Sequence, residues 1–195
     1  TTTEFKKITD KYIPNPKHVV EVGIGHIENC HMLEFAKDLN CKVELFDANP
    51  EICKEIELYT KEISNIFIYN YTLYGCDSKL TLNIVSGPNA SHWIDGIHSP
   101  ATNSPKKYTA KYIQEVTGTT FNKFDDSTIN IINIDIEGCE WFVLKHMISR
   151  PKVICIELVL SNYINPHYKE CIDWLNINNY EFLQDFENSK IFIRK

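Results

Sequence analysis

Three groups of residues in this chain of 195 amino acids have types and spacings suited to chemistry. In "VVEVGIGHIENC" (19–30), Glu21 precedes Gly23 and Gly25, and a polar stretch follows. Glycine lets backbone approach a ligand closely, and a helix opening beside it offers unpaired N–H groups. The second group is Asp47 in "VELFDANP", 22 residues beyond Gly25, a place from which a carboxylate reaches the hydroxyls of a ribose. The third is "INIDIEGCE", where Asp135 and Glu137 close an apolar run, with Glu157 late in the next run, "VICIEL". Carboxylates gathered on one rim can take a proton from a hydroxyl or hold a divalent cation. They are costly together unless ligands or hydrogen bonds satisfy them. Each alone has a plainer role: Asp135 or Glu137 starting the helix near Gly138, Glu157 as a hydrogen-bonded structural group.

The elements that must position these groups alternate along the chain. "HVVEVG" (18–23), "CKVELFDANP" (41–50), "NIFIYNYTLYG" (65–75), "STINIINIDIEG" (127–138) and "PKVICIELVL" (151–160) read as strands. "NCHMLEFAKDL" (29–39), "PEICKEIELYTKEI" (50–63), "CEWFVLKHMI" (139–148) and "PHYKECIDWLNIN" (166–178) read as helices, with Pro50 suited to a first turn. The continuous apolar runs "NIINI" and "VICIEL" fit buried parallel strands. The pattern predicts an α/β fold, a doubly wound and mostly parallel sheet, with an antiparallel hairpin in "YEFLQDFENSKIFIRK". Such sheets bind ligands beyond the carboxyl ends of their strands, where Glu21, Asp47, Asp135 and Glu137 fall.

A single domain over 1–195 is expected. Residues 1–16 form an N-terminal arm whose Phe5, Ile8 and Tyr12 share a helical stripe, and 76–124 form an insertion. Within the insertion, "SGPNASHWIDGIHSPATNSPKK" (86–107) is a loop long enough to be functional or disordered. Its His92, Trp93, Ile94, Ile97 and His98 favour a lid or acceptor-binding segment. His98 is a further candidate base, or else a solvated loop histidine.

Composition narrows the function. The net charge is −6, and only Arg150 and Arg194 of the twenty basic residues are arginine, which argues against nucleic acid as a partner. Seven cysteines without a C-x-x-C pair read as reduced, buried thiols of a cytoplasmic protein. No apolar run approaches the ~18 residues of a membrane span. The chain opens TTTEFKK without Met, as expected of a domain taken from a longer protein or of a trimmed chain. Oligomeric state is not fixed by any of these features.

The glycine loop leaves three readings: a phosphate cradle, a site for another nucleotide-like ligand, or a tight strand–helix turn. The dinucleotide fingerprint G-x-G-x-x-G needs a third glycine, and position 28 is Glu, which would repel a pyrophosphate. An acidic strand end better suits a cationic ligand. S-adenosylmethionine has an ammonium, a sulfonium and a ribose, and Glu21, Gly23, Gly25 and Asp47 match those parts. A nicotinamide oxidoreductase, or a non-catalytic domain that binds a nucleoside or a partner protein, is the alternative.

"VVEVGIG", "VELFDANP", "INIINIDIEGCEWFVLKHM" and "KVICIELVL" together resemble the FkbM-type family of S-adenosylmethionine-dependent methyltransferases. The resemblance spans roughly 17–160, and the D-x-E-G-x-E element from Asp135 to Glu140 is its most specific part. It implies a Rossmann-like methyltransferase sheet with cofactor bound by Glu21, Gly23, Gly25 and Asp47, and Ala48 beside the adenine. It also implies that Asp135 and Glu137 face the methyl-transfer centre. Relatives methylate hydroxyls, often on sugars, so the expected acceptor is a small molecule or a glycan. Ile27, Asp47 and Asn133 depart from the family's glycine, glutamate and lysine at those places. Asp135, Glu137 and His98 are the candidate bases. In a second mechanism Asp135 and Glu157 hold Mg²⁺, which lowers the pKa of a coordinated hydroxyl.

Overall fold

A strand buried on both faces must be apolar on both, and His18–Val22 (β1), Ile131–Ile134 (β8) and Val153–Ile156 (β9) are buried at every position. The computed structural model describes residues 2–85, 92–102 and 112–195. In chain order the other elements are α1 (Thr2–Thr9), β2 (Lys42–Phe46), α2 (Pro50–Thr60), β3 (Ile66–Tyr69), β4 (Thr72–Leu73) and β5 (Ser78–Ile84). Then come β6 (His92–Ile94), β7 (Tyr112–Thr119), α3 (Glu140–His146), β10 (Val159–Leu160) and β11 (Tyr163–Ile164). Last are α4 (Tyr168–Ile177), β12 (Tyr180–Phe186) and β13 (Ser189–Arg194).

Seven strands form the main sheet in the order β12-β13-β9-β8-β1-β2-β3. The five from β9 to β3 are parallel, and β13 runs antiparallel between β9 and β12. The doubly wound sheet with a C-terminal hairpin is therefore as expected. The chain winds outward from β1 to β3, then returns to β8 on the other side of β1. The switch point lies at the paired ends Val22 and Ile134. Alternate residues feed two apolar layers: Val19, Val43 and Ile131 with Phe5, Met32 and Phe35 on one face, Val20, Phe46 and Ile132 with Val143 and Leu144 on the other.

Three local expectations differ. The segment 29–39 is not α-helical but winds as two 3₁₀ pieces, Ile27–Asn29 and His31–Lys37. The Glu21 carboxylate takes the Met32 N–H at 2.9 Å and so draws the opening turn onto the sheet. The helix expected near Gly138 begins at Glu140, because residues 135–139 form a turn with Glu137 at φ 55° and Gly138 at φ 100°. In the arm, α1 buries Phe5 and Ile8 but ends at Thr9, leaving Tyr12 exposed beyond it.

The insertion builds a sheet of its own, in the order β4-β7-β5-β6, and begins at Thr72 rather than 76. It docks on the first turn of α2, where the Tyr112 hydroxyl donates to Glu51 at 2.9 Å. Its Leu82 and Ile94 pack in one apolar cluster with Cys139, so it stands over the carboxyl ends of β1, β2 and β8. Of the loop 86–107, residues 86–91 and 103–107 lie outside the described residues. All seven cysteines are free, and six are buried. Among the described residues no helix is long and apolar enough to cross a membrane.

Candidate active site

A cavity of about 400 Å³ opens at the carboxyl ends of β1, β2 and β8, with Glu21, Gly23, Gly25, Asp47, Ala48, Asp135 and Glu137 in its wall. The structure thus brings the loop, the β2 end and the β8 end together. His98 is exposed, with its ring against Tyr163, and it and Glu157 lie outside this wall.

The loop's two glycines are there for different reasons. Gly23 has φ 86°, and a Cβ on it would stand 1.7 Å from the Asp135 carbonyl oxygen, so β1 and β8 pack too closely for a side chain. Gly25 has φ 61° with nothing within 4 Å of a Cβ, so only its backbone conformation selects glycine. Asp47 fastens this loop. Its Oδ2 accepts from the Ile24 and Gly25 N–H groups at 2.9 and 3.1 Å, and its Oδ1 accepts from Asn49 N–H at 2.8 Å. Burial raises its pKa, against those three N–H groups and the neighbouring His92. Asp47→Ala should therefore weaken S-adenosylhomocysteine binding by about 1–3 kcal/mol and lower the unfolding temperature as well. Calorimetry and thermal melts check the two parts.

Glu21 is 1% exposed. Its oxygens accept from Asn133 Nδ2 at 2.5 Å and Met32 N–H at 2.9 Å, and the Cys30 thiol lies 3.6 Å away. Burial pushes its pKa up to about 7 despite these donors. Beyond β8, Asp135, Glu140 and Glu157 bring one carboxylate oxygen each within 4.8 Å of one another. Glu140 clamps the 135–139 turn by accepting from the Ile136 and Gly138 N–H groups at 2.9 and 3.1 Å, and Asn165 Nδ2 donates to it too. Burial pushes Asp135 up to about 6 and Glu140 up to about 7. Glu157, buried and facing the charges of Asp135, Glu137 and Glu140, goes up to about 10.

These shifts have one sign. A carboxyl whose pKa is higher in the fold than in the unfolded chain favours folding at low pH, and the benefit fades as pH rises through the folded value. Glu21, Asp135, Glu140 and Glu157 all behave so. The unfolding temperature of metal-free protein should fall as pH rises from about 5 to about 10, which melts across a buffer series will show.

Carboxylates line the cavity, the backbone at Gly25 is open, and Ala48 and Leu82 supply an apolar part of the wall. A methyltransferase FkbM domain model matches residues 18–182. The chain belongs to the FkbM methyltransferase family. Its activity is S-adenosylmethionine-dependent methyl transfer. The fold of this FkbM chain is similar to that of a methyltransferase from Geobacter sulfurreducens, with TM-score 0.53 and 10% identity over 100% of this chain and 77% of that one. It is similar to precorrin-6y C5,15-methyltransferase from Geobacter metallireducens, with TM-score 0.52 and 11% identity over 98% and 89%. A Thermotoga maritima S-adenosylmethionine-dependent O-methyltransferase gives TM-score 0.51 and 8% identity over 99% and 64%. At such identities the likeness is one of fold. No curated protein sequence matches the chain.

Sequence reasoning missed several residues of this FkbM site. Glu140 belongs to the quoted D-x-E-G-x-E run, but nothing in its spacing shows that it clamps the turn. His26 and His31 also line the cavity, as do Glu187 and Asn188 from the turn between β12 and β13, beside His92 of the expected acceptor-binding segment. Histidines at 26 and 31, just past the glycine loop, were the available signal. The hairpin turn had none.

Proposed function

We propose that this FkbM protein is an O-methyltransferase that methylates a hydroxyl of a sugar in a glycan or glycoconjugate. The observation that carries the reading is Asp135, half-buried in the cavity wall with its pKa pushed up to about 6. A hydroxyl must lose its proton to become a good nucleophile, and a carboxylate with a pKa nearer to neutrality is a better base than an ordinary one. When bound, S-adenosylmethionine supplies an electrophilic methyl group on a sulfonium. Glu157 retains its proton at neutral pH and leaves the charge of the pair on Asp135. Asp135 takes the hydroxyl proton, while Glu140 holds the turn that aims it. Glu21, Gly23, Gly25, Asp47 and Ala48 hold the cofactor, and Glu137 borders the acceptor. Tyr71 and Trp93 in the same wall offer aromatic faces to a sugar ring. The net charge of −6 favours such an acceptor over nucleic acid, and seven free cysteines favour a reducing, cytoplasmic setting.

A specific observation supports a second mechanism at the same site. The Asp135–Glu140–Glu157 cluster has the oxygen donors that Mg²⁺ prefers. A cation there would ionise Glu157 and activate the hydroxyl directly. Both are tested by incubating the protein with [methyl-¹³C]S-adenosylmethionine and a panel of oligosaccharides. A methyl-ether resonance is expected, and N-methyl or S-methyl product would overturn the reading. Transfer that stops with EDTA and returns with Mg²⁺ selects the metal, and transfer indifferent to EDTA selects the simple base.

A further inference from the structure

His92 stands in the cavity wall where β6 of the second sheet meets the start of α2. Its Nε2 lies 3.1 Å from Asn49 Nδ2. The helix cap fixes what that contact is. Asn49 is the N-cap of α2, and its Oδ1 accepts the Glu51 N–H at 3.0 Å, so the end of its amide that faces His92 is the NH₂ donor. His92 Nε2 must accept, and the ring proton resides on Nδ1. That Nδ1 is buried and has no hydrogen-bond partner among the described residues. The ring stays neutral: burial lowers its pKa, Asp47 and Glu51 pull the other way, and His26 opposes a second positive charge. Protonation would also set an N–H against the Asn49 amide. A buried donor left without an acceptor is costly, and the residue that carries it stands in the cavity wall.

Asp47, at the same end of the cavity, has capacity left over. A carboxylate oxygen takes about two donors. Oδ2 holds the Ile24 and Gly25 N–H groups, whereas Oδ1 holds only the N–H of Asn49 among the described residues. The pair therefore offers one acceptor position and one N–H donor. A hydroxyl group, which donates once and also accepts, satisfies both.

We propose that His92 Nδ1–H and Asp47 Oδ1 together bind a ribose hydroxyl of the cofactor, which makes His92 a specificity residue supplied by the second sheet. The proposal rests on the cavity being the S-adenosylmethionine site. It also gives the insertion a part in cofactor binding beyond any part in holding the acceptor.

The test is calorimetry with S-adenosylhomocysteine and with its 2′,3′-dideoxyribose analogue. His92→Gln keeps a polar group at the Nε2 position but removes the Nδ1 donor. It should weaken S-adenosylhomocysteine binding about tenfold and leave the weaker binding of the analogue unchanged. His92→Asn returns an amide N–H near the Nδ1 position and should recover most of the loss. Unaltered affinity in His92→Gln overturns the proposal. So does an equal loss for both ligands, which would make His92 a prop of the wall, and so does a failure of His92→Asn to recover. If the unsubstituted protein binds neither ligand, the cofactor site itself is wrong and the proposal falls with it.

Discussion

Asp135→Asn should lower kcat by at least about 10² while changing S-adenosylhomocysteine affinity by less than about threefold. The substitution keeps the shape of the side chain and removes the proposed base. Asp135 lies with Glu140 and Glu157 in a cluster of three carboxylates, and its charge raises both of their pKa values. Removing that charge should therefore raise the unfolding temperature above that of the unsubstituted protein at pH about 8, where Asp135 and Glu140 are both ionised. Slower turnover with a more stable fold is the signature of a group retained for chemistry. A residue serving only to start α3 would show normal turnover. Glu137→Gln separates its two neighbouring roles: a loss appearing mainly in KM would mark acceptor contact, and a loss in kcat a share in proton transfer.

The second large effect is expected at Gly23. Its Cβ position is 1.7 Å from the Asp135 carbonyl oxygen, 2.7 Å from that carbonyl carbon and 2.9 Å from Ile136 Cγ2. The first two atoms are backbone at the end of β8 and cannot move without breaking the β1–β8 pairing. Gly23→Ala should cost about 3–5 kcal/mol, combining overpacking with the left-handed φ. That is a large part of the stability of a domain this size. Soluble Gly23→Ala protein should melt far lower and lose S-adenosylhomocysteine binding, because the Asp135 turn is displaced with the loop. Gly25→Ala is the control. Its Cβ meets nothing within 4 Å, so it bears the φ cost alone, about 1–2 kcal/mol. Denaturant titration of the two variants gives both numbers. Equal losses would mean that the tight contact at Gly23 does not govern the loop.

Much of the fold was legible because buried parallel strands are largely apolar, and "VVEV", "INI" and "VICI" are so apart from Glu21 and Asn133. The carboxylates were legible because each follows such a run, and a doubly wound sheet gathers strand ends on one rim. What escaped depended on partners distant in sequence. The periodicity of 29–39 fits an α-helix, whereas the segment is 3₁₀ and its Met32 N–H goes to the Glu21 carboxylate arriving from β1. The second sheet pairs β5 with β7 across a long intervening segment, and its strands mix exposed and buried positions without strict alternation. His92 read as part of a lid or acceptor-binding segment, with no specific partner. Its tautomer is set by Asn49, 43 positions away. Glu137 gave no sign of a left-handed φ, which short sequence motifs announce only through glycine or asparagine.

The most direct measurement is a calorimetric titration of the unsubstituted protein with S-adenosylhomocysteine and, separately, with NAD. One-to-one binding of S-adenosylhomocysteine with no heat from NAD is the predicted result. Tight binding of NAD with none of S-adenosylhomocysteine would contradict the assignment of this cavity and, with it, the methyl-transfer roles given to Asp47 and Asp135.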